Sequence, residues 1–190
     1  LLTTNVVSLH NLLGSKSSRG AFGERQLEDI VKNVLPEAAF EFQYQFPTEG
    51  NVRADCVLKL PPPTGLVAID SKFPLENYER MTADATDKEA RTTFKYDVRR
   101  HVDAIAEKYI IPGVTSDGAV MFVPAESVFA EIHAHHRDLV EHAMARRVWI
   151  VSPTTLMAIL NTARAVLKDV ETRKQIHIIK DELGKLGKDF

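Results

Sequence analysis

Cysteine is nearly absent: Cys56 is the only one in 190 residues. An intramolecular disulfide is therefore excluded, and the usage fits a reducing, cytoplasmic compartment. Long apolar runs are also missing. None approaches the roughly 18 residues of a membrane-spanning helix, and no stretch has the layout of a secretory signal. The chain opens on Leu1 rather than Met. It is read as a piece of a longer protein, with a membrane anchor upstream kept as an open alternative. No large excess of either charge is present: the formal net charge is −2. Contact with a polyanion must then come from a local basic patch. There is no internal repeat. The Pro- and Gly-rich stretches are too short to mark a domain boundary within residues 20–190. What remains is a 44 % apolar chain of a length suited to one globular domain.

Residues 1–13 carry Leu2, Val6, Leu9 and Leu13 at helical spacing. This predicts an N-terminal helical segment over 1–19. Residues 14–20 (G-S-K-S-S-R-G) read as a flexible break and lack the G-x-x-x-x-G-K-[ST] order of a phosphate loop. A helix is predicted from 21 to 35, stopped by Pro36, with Leu27, Ile30, Val31 and Val34 as its apolar stripe. Glu24 borders that stripe.

Phe40-Glu41-Phe42-Gln43-Tyr44-Gln45-Phe46 alternates apolar and polar, the pattern of a half-buried strand. Residues 52–60 form the next strand, with Ala54, Cys56, Leu58 and Leu60 assigned to one face and Arg53, Asp55, Val57 and Lys59 to the other. Pro61-Pro62-Pro63-Thr64-Gly65 turns the chain into Val67-Ala68-Ile69-Asp70-Ser71-Lys72-Phe73, where Asp70 and Lys72 share a face. The three strands read as a meander. Matching their apolar faces leaves Asp55 opposite or diagonal to Asp70, roughly 5–8 Å apart at Cβ. Two like charges so placed destabilise a sheet unless something positive sits between them.

Further on, a long helix over 85–109 carries His101 on its apolar side beside Arg99 and Arg100. His101 reads either as a core histidine or as one facing the site. Residues 119–124 and 148–151 are short buried strands, the second preceded by Arg146 and Arg147. Between them a helix over about 127–137 holds His133 and His136, which share a face but lack a third zinc ligand. Ser152 caps a helix opened by Pro153. A last helix has Ile176, Ile179, Leu183, Leu186 and Phe190 at heptad-like intervals, a face for a partner helix or a second copy of the chain.

The acids carry the chemistry. A helix bringing Glu24 to a sheet that presents Asp55, Asp70 and Lys72 assembles hard oxygen donors suited to Mg²⁺ or Mn²⁺. Such an ion lowers the pKa of water, and a neighbouring lysine neutralises charge growing on a phosphoryl centre. Three acids and one lysine thus suffice for phosphodiester hydrolysis. They are equally a surface of solvated charges until their geometry is known.

Asp55, the Asp70-Ser71-Lys72 strand and Glu24 on the preceding helix resemble the PD-(D/E)xK nuclease pattern. More narrowly, the chain resembles the RmuC family of bacterial DNA recombination proteins. The resemblance rests on Gly20-Ala21-Phe22-Gly23-Glu24, on the run from Arg53 to Pro61, and on Ile69-Asp70-Ser71-Lys72-Phe73-Pro74-Leu75. It extends to His101, Ile105 and Lys108-Tyr109, to Met121-Phe122-Val123-Pro124-Ala125-Glu126, and to Ser152-Pro153-Thr154-Thr155-Leu156. It implies an α/β fold with a restriction-endonuclease-like mixed sheet flanked by helices over 20–190, an upstream coiled coil whose end would be residues 1–19, and DNA as partner. By the same resemblance Asp55 and Asp70 bind metal, Glu24 is a further ligand or holds water, and Lys72 is the catalytic lysine.

Two functions from different classes follow. One is a divalent-metal-dependent deoxyribonuclease of recombination or repair. The other is a DNA-binding or scaffold module that keeps the fold without useful catalysis. For either, Arg99, Arg100, His101, Arg146 and Arg147 are the candidate nucleic-acid contacts. A third, a protein-interaction domain, rests on the heptad-like face.

Overall fold

The computed structural model describes residues 15–48 and 50–186. The helical expectation for residues 1–13 falls outside them. A five-stranded mixed sheet runs in the order β1 (Phe40–Gln45), β2 (Arg53–Lys59), β3 (Leu66–Ser71), β4 (Ala119–Phe122), β5 (Val148–Val151). The first three strands form the expected antiparallel meander, and β3, β4 and β5 are parallel. The parallel strands are joined by helical crossovers that lie on one face: α2 (Leu75–Ala83) and α3 (Lys88–Tyr109), then α4 (Glu126–His135) and α5 (Arg137–Ala145). The other face is covered by α1 (Lys16–Val34) and α6 (Pro153–Leu186). The α/β architecture read from the sequence is the one observed.

Two cores result. Phe94, Val98, Val102 and Ile105 of α3 meet Val57, Ala68 and Met121 of the sheet on one side. Leu27 and Val31 of α1 and Leu156 and Leu160 of α6 meet Cys56, Leu58, Ile69 and Phe122 on the other. The heavily apolar strands β4 and β5 are sandwiched between them, as a parallel pair covered on both faces requires. Among the described residues no helix is long and apolar enough to cross a membrane.

Four expectations need correction. Residues 15–20 are not a flexible break: α1 starts at Lys16 because Ser15 caps it, its Oγ accepting the Ser18 N–H at 3.0 Å. The helix α5 was not foreseen; His136, buried against the Phe94 ring, separates it from α4. The C-terminal segment is one 34-residue helix rather than two, since no breaker interrupts it. The strand alternation also switches faces. Phe40 and Phe42 pack with α1, whereas Tyr44 and Phe46 pack with α3. Gln43, between them, has φ +51°, a left-handed conformation that breaks the two-residue period. On β2, Ala54, paired with Tyr44, joins the α3 core, while Cys56, paired with Phe42, and Leu58 join the α1 core. Asp55 therefore sits where the paired strands twist.

The first half of α6 buries Leu156, Leu160 and Ala163, but residues 171–180 are all exposed. Ile176 and Ile179 are 48 % and 57 % exposed, the side chains of Leu183 and Leu186 are outside the described set, and so is Phe190. Deleting residues 172–190 is expected to change unfolding free energy by no more than roughly 0.5 kcal/mol, the range of surface changes. Urea denaturation checks this, and a loss of several kcal/mol would mean that the distal half of α6 packs on the body.

Candidate functional site

The β2–β3 ladder pairs Cys56 with Ile69 and runs on to Lys59 with Leu66. One more step of that register sets Asp55 opposite Asp70, the arrangement expected from the apolar faces. The strands part there, and side-chain chemistry replaces the ladder. Asp55 Oδ2 accepts the Ser71 N–H at 2.7 Å, and the Lys72 N–H donates to Phe122 O of β4 at 2.8 Å. The end of β3 is thus held on one side by a carboxylate and on the other by β4.

Asp70 is 4 % exposed, a rare position for an acid without partners. Its Oδ1 accepts from the Tyr109 hydroxyl at 2.7 Å. Its Oδ2 contacts the Lys72 ammonium as an ion pair and has no other hydrogen-bond partner among the described residues. Asp55 shows the strain of this crowding. Burial first, then the Asp70 charge, push its pKa from 3.8 up to about 6, against the Ser71 N–H and Lys72, which pull it down; Glu24 adds to the rise.

Glu24 reaches the cluster because α1 touches the sheet closely. A Cβ on Gly23 would stand 2.4 Å from Ser71 Oγ and 3.2 Å from Pro124 Cγ. Phe22 stacks on Phe73, ring centroids 6.3 Å apart. Glu24 Oε2 accepts from Gln43 Nε2 at 3.3 Å, so the strand residue with the unusual φ also orients the helix acid. His101 faces this site: burial, then the Lys72 and Arg100 charges, lower its pKa from 6.5 to about 4. The ring is neutral near pH 7, with no hydrogen bond to it among the described residues.

Tyr109 was missed as a site residue, although a buried phenol at a helix end calls for a polar partner. Burial and the Asp70 charge raise its pKa, so it stays a donor. Cys56 is no nucleophile: burial pushes its thiol up to about 12. The candidate arginines each meet a partner of their own. Arg146 and Arg147 precede β5, whose N-terminal end is opposite the edge where β3 presents Asp70. Arg146 pairs with Asp103 at 3.1 Å and Arg147 lies 3.9 Å from Asp117. Arg100 lies 3.5 Å from Asp97, and Arg99 contacts His142 Nδ1 at 3.1 Å. His133 and His136 do not form a metal pair: His133 bonds Phe129 O and His136 bonds Glu131. Among the described residues no three of His, Cys, Asp or Glu are grouped to hold a metal unaided.

Against known proteins, the description "RmuC family" matches residues 1–190. A "DNA recombination protein RmuC homolog" of Chlamydia trachomatis is 32 % identical over 187 residues, covering 96 % of this chain and 42 % of the relative. A protein of the same description from Xylella fastidiosa is 29 % identical over 203 residues, covering 100 % of this chain and 44 % of its own length. The "DNA recombination protein RmuC" of Escherichia coli K12 is 28 % identical over 185 residues, 92 % and 39 %. The chain spans less than half the length of these relatives. No solved structure matches it significantly.

Alanine favours helices over glycine by about 1 kcal/mol, yet Gly23→Ala is expected to destabilise the protein by about 1–3 kcal/mol through overpacking. Adding Ser71→Ala should recover most of that loss, since it removes the nearest atom; denaturation of the two variants checks this.

Folding raises the Asp55 pKa, so this group costs stability above pH 6, and the cost fades as pH falls from 6 toward 4. His101 works oppositely in the same window, because its folded pKa lies below the ordinary value and stability is lost as pH falls. Asp55→Asn isolates the first effect, as its amide oxygen still accepts the Ser71 N–H. Without divalent ions, the variant is expected to melt above the wild type near pH 7.5, with the gap narrowing toward pH 5. A constant gap would mean that Asp55 titrates normally.

Proposed function

The chain belongs to the RmuC family, and from that premise we propose that it is a divalent-metal-dependent DNA phosphodiester hydrolase acting in recombination or repair. The observation that carries this is the facing Asp55–Asp70 pair beside Lys72, with Asp55 pushed up to about 6. It has the form of the PD-(D/E)xK pattern. The relatives' descriptions supply the recombination context.

The donors suit Mg²⁺ or Mn²⁺. Two facing carboxylates share a single lysine as counter-charge, and Asp70 Oδ2 is buried with no other partner. Both features favour an added cation bound through hard oxygens. Asp55 and Asp70 would hold it, with Glu24 as a further ligand or water-holder. That two carboxylates rather than three are close agrees with Mg²⁺, which usually takes one or two protein carboxylates plus substrate phosphates. When bound, the ion supplies charge stabilisation at a phosphoryl oxygen and a lowered pKa for water.

The chain's own residues do the rest. Tyr109 fixes Asp70 by its hydrogen bond to Oδ1, leaving Oδ2 toward Lys72. The Lys72 ammonium neutralises charge growing on the phosphate in the transition state. The Ser71 N–H holds Asp55, and Gln43 holds Glu24. The neutral His101 adds no positive charge beside Lys72.

A second reading, a DNA-binding or scaffold module without turnover, is favoured by one observation: Asp70 and Lys72 already neutralise each other. Self-association or partner-helix docking through Ile176 and Ile179, continued by Leu183, Leu186 and Phe190, is supported by the exposure of the two isoleucines. The variant lacking 172–190 serves here too, read by sedimentation.

Calorimetry with Mn²⁺ and Mg²⁺, with and without a short DNA duplex, separates the two main readings. Wild type is expected to bind the ion and Asp70→Ala to lose it. Lys72→Ala should keep the ion yet cleave DNA at least about 100-fold more slowly. A folded wild type that binds no ion in either state sinks the hydrolase and leaves the scaffold.

A further inference from the structure

Beside the acidic cluster, at the β1–β2 hairpin, lies a polar recess of about 510 Å³ lined by Gln45, Gly50, Asn51, Val52, Arg53 and Lys108. Its two charged residues are both cations. Both are exposed, and neither Arg53 nor Lys108 forms an ion pair or a side-chain hydrogen bond among the described residues. Arg100, Arg146 and Arg147, in contrast, each face a carboxylate. No acid lines the recess among the described residues.

The recess is joined to the acids by one phenol. Tyr109 follows Lys108 in sequence at the end of α3, and its hydroxyl is shared between Asp70 Oδ1 at 2.7 Å and Arg53 O at 3.0 Å. Arg53 also begins β2, two residues before Asp55. The recess therefore flanks the edge of the sheet where Asp55, Asp70 and Lys72 meet. The amide of Gln45 donates to Asn51 Oδ1, both of them lining the same recess.

We propose that Arg53 and Lys108 form a phosphate subsite that seats a DNA backbone phosphate next to the acidic cluster. A guanidinium offers a planar, bidentate fork to phosphate oxygens and an ammonium a point charge. The division of labour is physical. The acids repel a polyanion, so a bare acidic cluster holds DNA poorly. Two uncommitted cations, on the residue two before Asp55 and the residue before Tyr109, offset that repulsion and set the strand's position. The inference rests on the hydrolase or DNA-binding reading for its ligand.

The test measures binding of a labelled DNA duplex by fluorescence anisotropy in EDTA over a salt series, for wild type, Arg53→Gln/Lys108→Gln and, as a control on α5 where Arg137 pairs with Glu141, Arg137→Gln. Pyrophosphate binding is measured in parallel by calorimetry. The double variant is expected to bind DNA at least about 10-fold more weakly, with a log–log salt slope smaller by about 2. Arg137→Gln should match the wild type. Manganese affinity and melting temperature should be unchanged in the double variant, separating this loss from damage to the acidic cluster. Wild-type DNA binding with an unaltered double variant overturns the subsite and leaves the function standing. Pyrophosphate binding that the double variant loses, without DNA binding by wild type, keeps a phosphate subsite and retires the DNA reading. No binding of either probe by wild type overturns both.

Discussion

The structure turns on one carboxylate–backbone contact, Asp55 Oδ2 to the Ser71 N–H. β3 must leave β2 at its end to continue beside β4, and a half-buried N–H stranded there would cost up to about 1 kcal/mol. Asp55 satisfies it from the side chain. The same contact draws two acids together, because β2 is in register to put Asp55 opposite Asp70. Mending the sheet thus buries Asp55 beside a second acid, and that burial, then the Asp70 charge, raises its pKa. A structural need and a chemical one meet in a single residue.

The surrounding elements limit how far that repulsion can relax. Asp70 is confined by Tyr109 from one helix layer and by Lys72 from its own strand. Gly23 lets α1 approach Ser71 closely enough for Glu24 to enter from the other layer. Contributions thus arrive from both faces of the sheet at one edge, where β2 and β3 part. A flat ladder would keep the layers apart; the twist at Gln43 and Asp55 lets the edge receive residues from both.

Much of this was legible early. Period-two alternation marked β1, β2 and β3, and the turn at residues 61–65 made them a meander. The apolar faces narrowed Asp55 to positions opposite or diagonal to Asp70. Where pattern reasoning failed, a local conformation or a distant partner decided. The alternation of Phe40 to Phe46 is perfect in sequence, but a single left-handed φ at Gln43 divides it between two cores. Glycine and serine at 14–20 suggested a break, yet the Ser15 cap starts a helix there. Which end of the sheet Arg146 and Arg147 occupy was likewise set by the direction of β5, parallel to β4 and β3, and not by their own spacing.

By itself, then, the sequence determined the five strands, most of the helices, the α/β class and the acids worth watching, because periodicity and turn chemistry are local and survive without neighbours. Only the tertiary structure decided which charges meet. Tyr109 is 39 residues from Asp70, and Gln43 is 19 from Glu24; no spacing rule connects them. Burial and proximity, which set the Asp55 and His101 pKa values, are properties of the packed edge, where desolvation and a handful of neighbouring charges outweigh any preference of the residue alone.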